Sequence, residues 1–306
     1  MKATRDAFGE QLAECAKTNP DIIAINADLG KATKLSVLQG LYPNRVIDVG
    51  IAENNMIGIA SGLAEHGYKV FIASFASFLT GKYDTIRCSI SYPNVPVVIV
   101  GSHGGLAIGK DGVTQMGLED LSLMRSLPGM TVLNPATPNE TKAMVKWLCE
   151  TELTGPVYLR IARQPVEELY ENYGKFTPGL YNQVGKFPVT SSNTLVLTSG
   201  CILDNVLKSV EGLPVIVYNM PTLKPWNMAY GTYTNIITIE DHSIIGGLGT
   251  CVAEDLARLG TGQKLTKIGL NDEFPESAPP EDLYEKYGLS VNKIRAKIID
   301  VINENK

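Results

Sequence analysis

At 306 residues, 44% of them hydrophobic and 19% charged, the chain has the make-up of folded globular material and the length for two domains with separate cores, which excludes a disordered class. A net charge of −5 and a pI near 5.4 speak against general electrostatic binding to nucleic acid or to an anionic membrane. No apolar run approaches the roughly 20 residues of a membrane span, and the five scattered cysteines show neither CxxC nor zinc spacing, so the expected location is a reducing one, the cytoplasm.

In chain order, short β-rich runs at 22–26, 45–49, 69–73, 97–101, 130–134 and 157–161 alternate with helix-like segments such as 52–65 and 75–90. That alternation predicts a parallel α/β sheet. After Arg163 the pattern lapses, and 166–189 reads as an interdomain crossing. A second alternating unit follows, with runs at 195–198, 215–218, 236–239 and 265–268 and helices near 203–210 and 248–259. It closes with helices at 281–287 and 290–303, the latter opened by Ser290 as N-cap. The expected fold class is α/β with two domains, 1–165 and 190–306, each a mainly parallel sheet flanked by helices.

Glu53 heads the apolar, glycine-rich segment 53–64, where a carboxylate either caps the helix and complements its dipole or handles a proton. The loop Gly101-Ser-His-Gly-Gly-Leu-Ala-Ile-Gly-Lys-Asp-Gly-Val-Thr-Gln115 lies beyond the carboxyl end of a strand, where open α/β sheets bind ligands, and carries His103, Asp111 and Gln115. Its alternative role is a glycine connector whose polar side chains satisfy turns. Lys110-Asp111-Gly112 lacks the first glycine of a Gly-Asp-Gly metal motif, although Asn134 and Asn139 follow at suitable spacing, so no metal is assigned to this chain. Ile239-Glu-Asp-His-Ser-Ile-Ile-Gly-Gly-Leu-Gly249 has Val252 where a dinucleotide turn needs glycine, and reads as a helix-packing or interface loop. Arg5 and Arg163 suit bidentate phosphate binding or ordinary surface ion pairs.

Taken in order, the segments 3–9, 51–56, 102–116, 118–128 and 238–249 resemble the transketolase family, specifically its pyrimidine-binding and carboxyl-terminal domains, over nearly the whole chain. The resemblance implies thiamine diphosphate as cofactor with Mg²⁺. It makes Glu53 the acid that meets N1′ of the aminopyrimidine, where a carboxyl in an apolar pocket can share a proton, while the cofactor supplies the carbanion chemistry. Phe75, Phe78 and Asp28 join Glu53 as cofactor-binding residues, with Phe78 the stacking ring and Gly81 where some relatives carry tyrosine. Arg5, His103 and Arg163 fall at the sugar-phosphate end, Asp111 at a sugar hydroxyl, and Gln115 near the reacting carbonyl; His103 is also counted as catalytic. Yeast and many bacterial members carry histidine in place of Gln115, which hydrogen-bonds but cannot carry a proton at neutral pH. Ala32 stands where relatives place a phosphate-binding serine, so either Thr33 substitutes or that contact is lost.

The family's domain for Mg²⁺ and diphosphate has no counterpart in the sequence. The resemblance therefore implies a split enzyme: an N-terminal partner subunit carrying the GDG motif, an α2β2 assembly, and transfer of a two-carbon ketol unit from a ketose phosphate to an aldose phosphate. Competing readings are the β subunit of a 2-oxo acid dehydrogenase, which fits the 101–115 loop poorly, a 1-deoxyxylulose 5-phosphate synthase-like enzyme, and a non-catalytic docking subunit.

Overall fold

The structure is a computed structural model that describes residues 1–171, 173–184 and 192–304. A seven-stranded sheet runs in the order Thr222–Lys224, Thr131–Leu133, Val157–Arg160, Val98–Ser102, Lys69–Phe75, Ile22–Asn26, Val46–Asp48. All its pairings are parallel except that of Thr222–Lys224 with Thr131–Leu133. Its central strands, Lys-Val-Phe-Ile-Ala-Ser-Phe and Val-Ile-Val-Gly-Ser, are buried almost end to end, as helices on both faces of a parallel sheet require. The second sheet runs Lys264–Leu270, Asn235–Ser243, Thr194–Ser199, Ile216–Asn219, Asn182–Val184, antiparallel only at its last pair. Among the described residues no helix is long and apolar enough to cross a membrane.

The expected elements recur with small shifts, and Ser290 does cap Val291–Asn303, its hydroxyl accepting from Lys293 N. Four features differ from expectation. The 75–90 helix is broken: Phe75 ends a strand in register with Ser102, and three short helical turns follow, Ala76–Thr80, Tyr83–Ile86 and a π-turn at Arg87–Ser91. Strand pairing extends the sheet through Phe75, and Gly81 is a poor helix interior. The 166–189 crossing is partly structured, since Pro165–Val166 pairs with Lys2–Ala3 and Asn182–Val184 joins the second sheet, while Asn172 and 185–189 lie outside the described residues. Thr222–Lys224, far along the chain in the second unit, adds an edge strand to the first sheet.

The cores are also not fully separate: a cluster around Phe8, Leu38, Phe71 and Val145 stays within the first unit and the crossing, but two others span both units. One apolar cluster joins Ile25, Met56, Ile72, Leu121 and Met124 to Leu195, Leu223, Ile236, Leu248 and Val252. A second joins Phe75, Leu106, Ile108 and Met116 to Val196, Ile237 and Leu283. Alternation along the sequence reports which faces are apolar but not which face meets which, so it could not distinguish two cores from shared ones.

Candidate active site

Ile22–Asn26 pairs with Val46–Asp48 on one side and Lys69–Phe75 on the other. The sheet thus reverses its direction of growth between Ile22–Asn26 and Lys69–Phe75, and the carboxyl ends of those strands are where an open α/β sheet places its ligand crevice. Glu53, the first residue of the helix Glu53–Glu65, enters it from the strand Val46–Asp48 and is 8% exposed. Rather than folding back on its own helix, its carboxyl reaches across the crevice, where Ser74 Oγ donates to Oε1 at 3.2 Å. Ser74 precedes Phe75, whose ring lies 5.2 Å from that of Phe78 at an interplanar angle of 25°. Between them Ser77 Oγ is buried without a partner. Two residues before the buried acid, Ile51 is 85% exposed. A shielded carboxyl beside an aromatic pair fits an aminopyrimidine ring. Asp28 is exposed at the mouth of the same crevice in a left-handed conformation, φ +61°, its NH donating to Asp48 Oδ1 at 3.0 Å.

The Phe75 ring is also 4.0 Å from the imidazole of His103. His103 is 3% exposed and holds φ +62°, unusual for a residue with a side chain. Arg5 Nη1 is 3.2 Å from its Nε2, and Ser102 Oγ is 2.8 Å from its Nδ1. A guanidinium can only donate, so Nε2 must accept; the proton therefore sits on Nδ1 and is donated to Ser102. Burial first, then the charges of Arg5 and Arg163, hold His103 down to about 3, so the ring is neutral.

Arg5 also donates to Ala32 O at 3.1 Å, and its Nε is buried without a partner. Arg163 and Asp111 pair at 2.9 Å, 45% and 43% exposed, so the structure joins a residue expected at the sugar phosphate to one expected at a sugar hydroxyl. Gln115 is half-buried at the end of the short turn Val113–Gln115. Thr33 cannot take over from a serine at Ala32: it is fully buried and its hydroxyl donates to Leu29 O at 2.9 Å. Asn134 and Asn139 are committed to Ser199 Oγ and Tyr170 O, and among the described residues no three His, Cys, Asp or Glu side chains gather as a metal site. The larger clefts lie away from Glu53, one of about 400 Å³ beside Asn19, Tyr68, Lys69 and Cys149 at the opposite end of the sheet.

A buried polar network behind the loop was not singled out in the sequence. Asp120 Oδ2 accepts from Tyr158 OH at 2.7 Å and from Arg160 Nε at 3.0 Å. Arg160 Nη2 donates to Gly117 O and Asp241 O at 2.7 and 3.0 Å, and Asp241 Oδ1 accepts from Leu106 N at 2.9 Å. Glu240 accepts from Leu248 N and Gly249 N at 2.6 and 2.8 Å, capping the helix Leu248–Leu259. Segment 239–249 is thus a helix cap and an interface in one. The available signal was Glu-Asp-His continuing an aliphatic strand, where burial on both faces demands partners.

Family models match over two stretches, the transketolase pyrimidine binding domain at residues 1–168 and the transketolase C-terminal domain at 186–294. The transketolase C-terminal section of Methanocaldococcus jannaschii is 34% identical over 307 residues, covering 98% of this chain and 96% of its own. A 6-deoxy-6-sulfo-D-fructose transketolase subunit of a Clostridium species (strain MSTE9) is 33% identical, covering 95% and 91%. A solved structure described as a split gene transketolase, inactive beta4 tetramer, superposes with a TM-score of 0.87 at 35% identity over 98% of both chains. The chain spans about half the length of several other curated relatives that it matches. With both domain types present in order, and whole-length relatives on either measure, the chain belongs to the thiamine diphosphate-dependent transketolase family, as a subunit corresponding to its carboxyl-terminal half.

Proposed function

We propose that this chain is the C-terminal subunit of a split transketolase that moves a two-carbon ketol unit from a ketose phosphate to an aldose phosphate once an N-terminal subunit completes the site. The observation that carries the reading is the buried carboxyl of Glu53, tied to Ser74 beside the Phe75–Phe78 pair, with the apolar Ile51 left 85% exposed at its rim. That rim suits the surface of another subunit. When bound, thiamine diphosphate supplies the nucleophilic carbon and the sink for the electrons of the cleaved bond.

The protein's part is positional. Glu53 holds a proton against the pyrimidine N1′, Phe75 and Phe78 face that ring, and Asp28 lines the crevice mouth. Arg5, Arg163 and the neutral His103 receive the sugar phosphate, whose charge would draw Arg163 from Asp111 and free that carboxylate for a hydroxyl. Gln115 hydrogen-bonds near the reacting carbonyl. Mg²⁺ and the diphosphate belong to the partner, in a cytoplasmic α2β2 assembly, and within this chain 1–165 and 190–306 serve as the functional units.

The test is reconstitution. Purified chain, an N-terminal subunit bearing a Gly-Asp-Gly motif, thiamine diphosphate and Mg²⁺ are mixed and assayed for ketol transfer. We expect turnover from the pair and none from this chain alone, in keeping with the inactive tetramer named for the similar split-gene protein. Turnover by the isolated chain overturns the partner requirement, and 2-oxo acid decarboxylation without ketol transfer favours a dehydrogenase subunit.

A further inference from the structure

We propose that Asp241, in the carboxyl-terminal unit, is a positioning residue for the 101–117 loop, and that this unit's own ligand crevice has been given over to holding that loop in place. The proposal rests on the functional reading above only for what the loop contacts. In the second sheet Thr194–Ser199 pairs with Ile216–Asn219 on one side and Asn235–Ser243 on the other. Its growth reverses between Thr194–Ser199 and Asn235–Ser243, so a free-standing unit would bind a ligand beyond Ser199 and Glu240.

That place is filled. What remains is a space of about 10 Å³ between Gly104, Asn134, Arg160, Ser199, Cys201 and Asp241, room for about one water. The occupant is the glycine loop of the other unit. Leu106 N donates to Asp241 Oδ1 at 2.9 Å, and Tyr284 OH donates to Oδ2 at 2.8 Å, the aspartate being 7% exposed. Gly105 has φ +87°, and a Cβ there would run into the same carboxylate, so only glycine lets the backbone come this close. Arg160 ties Asp241 O to Gly117 O, while Gly105 N donates to Gly117 O at 2.8 Å and Gly117 N to His103 O at 3.3 Å.

The loop is therefore closed on itself, its ends are held by Arg160 at Gly117 and by Arg5 at His103, and Asp241 is the carboxylate that pins its middle at Leu106. His103 lies just before that pin and Asp111 and Gln115 lie after it, so releasing Leu106 lets all three drift together. Loosely held, such groups grip the sugar phosphate less well, which raises KM before it slows the chemistry. Asp241 touches none of the reacting atoms.

The test uses amide hydrogen exchange on the full chain. Asp241→Ala is expected to speed exchange at Leu106 and across 101–117 by about tenfold or more while the distant helix Pro138–Glu150 is unchanged. Asp241→Asn should retain protection, because its amide oxygen can accept from Leu106 N and its NH₂ can donate to the Tyr284 oxygen, whose proton then serves Gln164 Oε1, already 2.8 Å away. In the reconstituted pair, Asp241→Ala should raise KM for phosphorylated sugars by about tenfold with a smaller change in kcat, and Asp241→Asn should stay within about twofold of native. Should Asp241→Ala not fold, Tyr284→Phe, which frees one carboxylate oxygen, is expected to speed Leu106 exchange by about threefold. Unchanged Leu106 exchange, acceleration spread evenly over the chain, or an Asn variant as impaired as the Ala variant overturns the proposal. A loosened loop in a chain whose native pair shows no ketol transfer supports the anchor and sinks the functional reading instead.

Discussion

Glu53 and Ser74 come from separate elements and meet over 3.2 Å. For the reconstituted pair, Glu53→Ala is expected to lower turnover by about 10²- to 10⁴-fold, the scale of a positioned proton-transfer group. Steady-state assay with a melting control checks it, and near-native turnover removes Glu53 from the chemistry. Arg163→Ala separates phosphate binding from stability. Its half-exposed pair with Asp111 is worth at most about 1 kcal/mol, so the melting point should hardly move. KM should rise for phosphorylated sugars only; an equal rise for unphosphorylated ones argues against phosphate contact. Glu53 was legible because a carboxylate at the head of an apolar helix is conspicuous. The tautomer of His103 was not, because it is dictated by Arg5, 98 residues away, and the burial of Thr33 likewise depends on how the chain folds back.

The elements bear their own pH dependence. Burial pushes Glu240 up to about 7 from 4.5, although Gly249 N and Leu248 N oppose the shift by hydrogen bonding to its carboxylate. A carboxyl raised on folding adds stability that is complete below about 4.5 and lost as pH climbs through about 7, since between those values the folded state holds the extra proton. Glu240→Gln does not titrate. Chemical denaturation should therefore show native protein gaining on the variant as pH falls from about 7 to about 4.5 and running parallel to it above and below; parallel curves throughout would refute the assignment. His242 works in the opposite sense. Burial lowers it to about 4 from 6.5, so its contribution is complete above 6.5 and is lost on acidification. Strands and helices were legible from apolar periodicity, down to the Ser290 cap. The break after Phe75 was not, because residues 73–75 gain more from pairing with 100–102 than from continuing a helix, and that neighbour is invisible locally.

Across the whole molecule the two units share apolar clusters and exchange backbone: Thr222 lies opposite Leu133 and Lys224 opposite Val132. A fragment of residues 1–168 loses that edge strand and exposes Met124, Leu127 and Met130, which pack in the joint core. It is expected to lack a cooperative melting transition and to self-associate, as light scattering and calorimetry would register; sharp two-state melting as a monomer would contradict the shared core. Length and composition pointed to two units, and their order agreed with the family, but their interdependence was hidden. A three-residue edge strand such as Thr-Leu-Lys carries too little pattern to reveal its distant partner.

That borrowed strand constrains where evolution can cut the gene. A break within this chain would leave one product with a raw, unpaired sheet border and the other with a ribbon that has nothing to lie against. Gene fission between the two units is thus disfavoured, because they are knitted by their backbones rather than merely apposed.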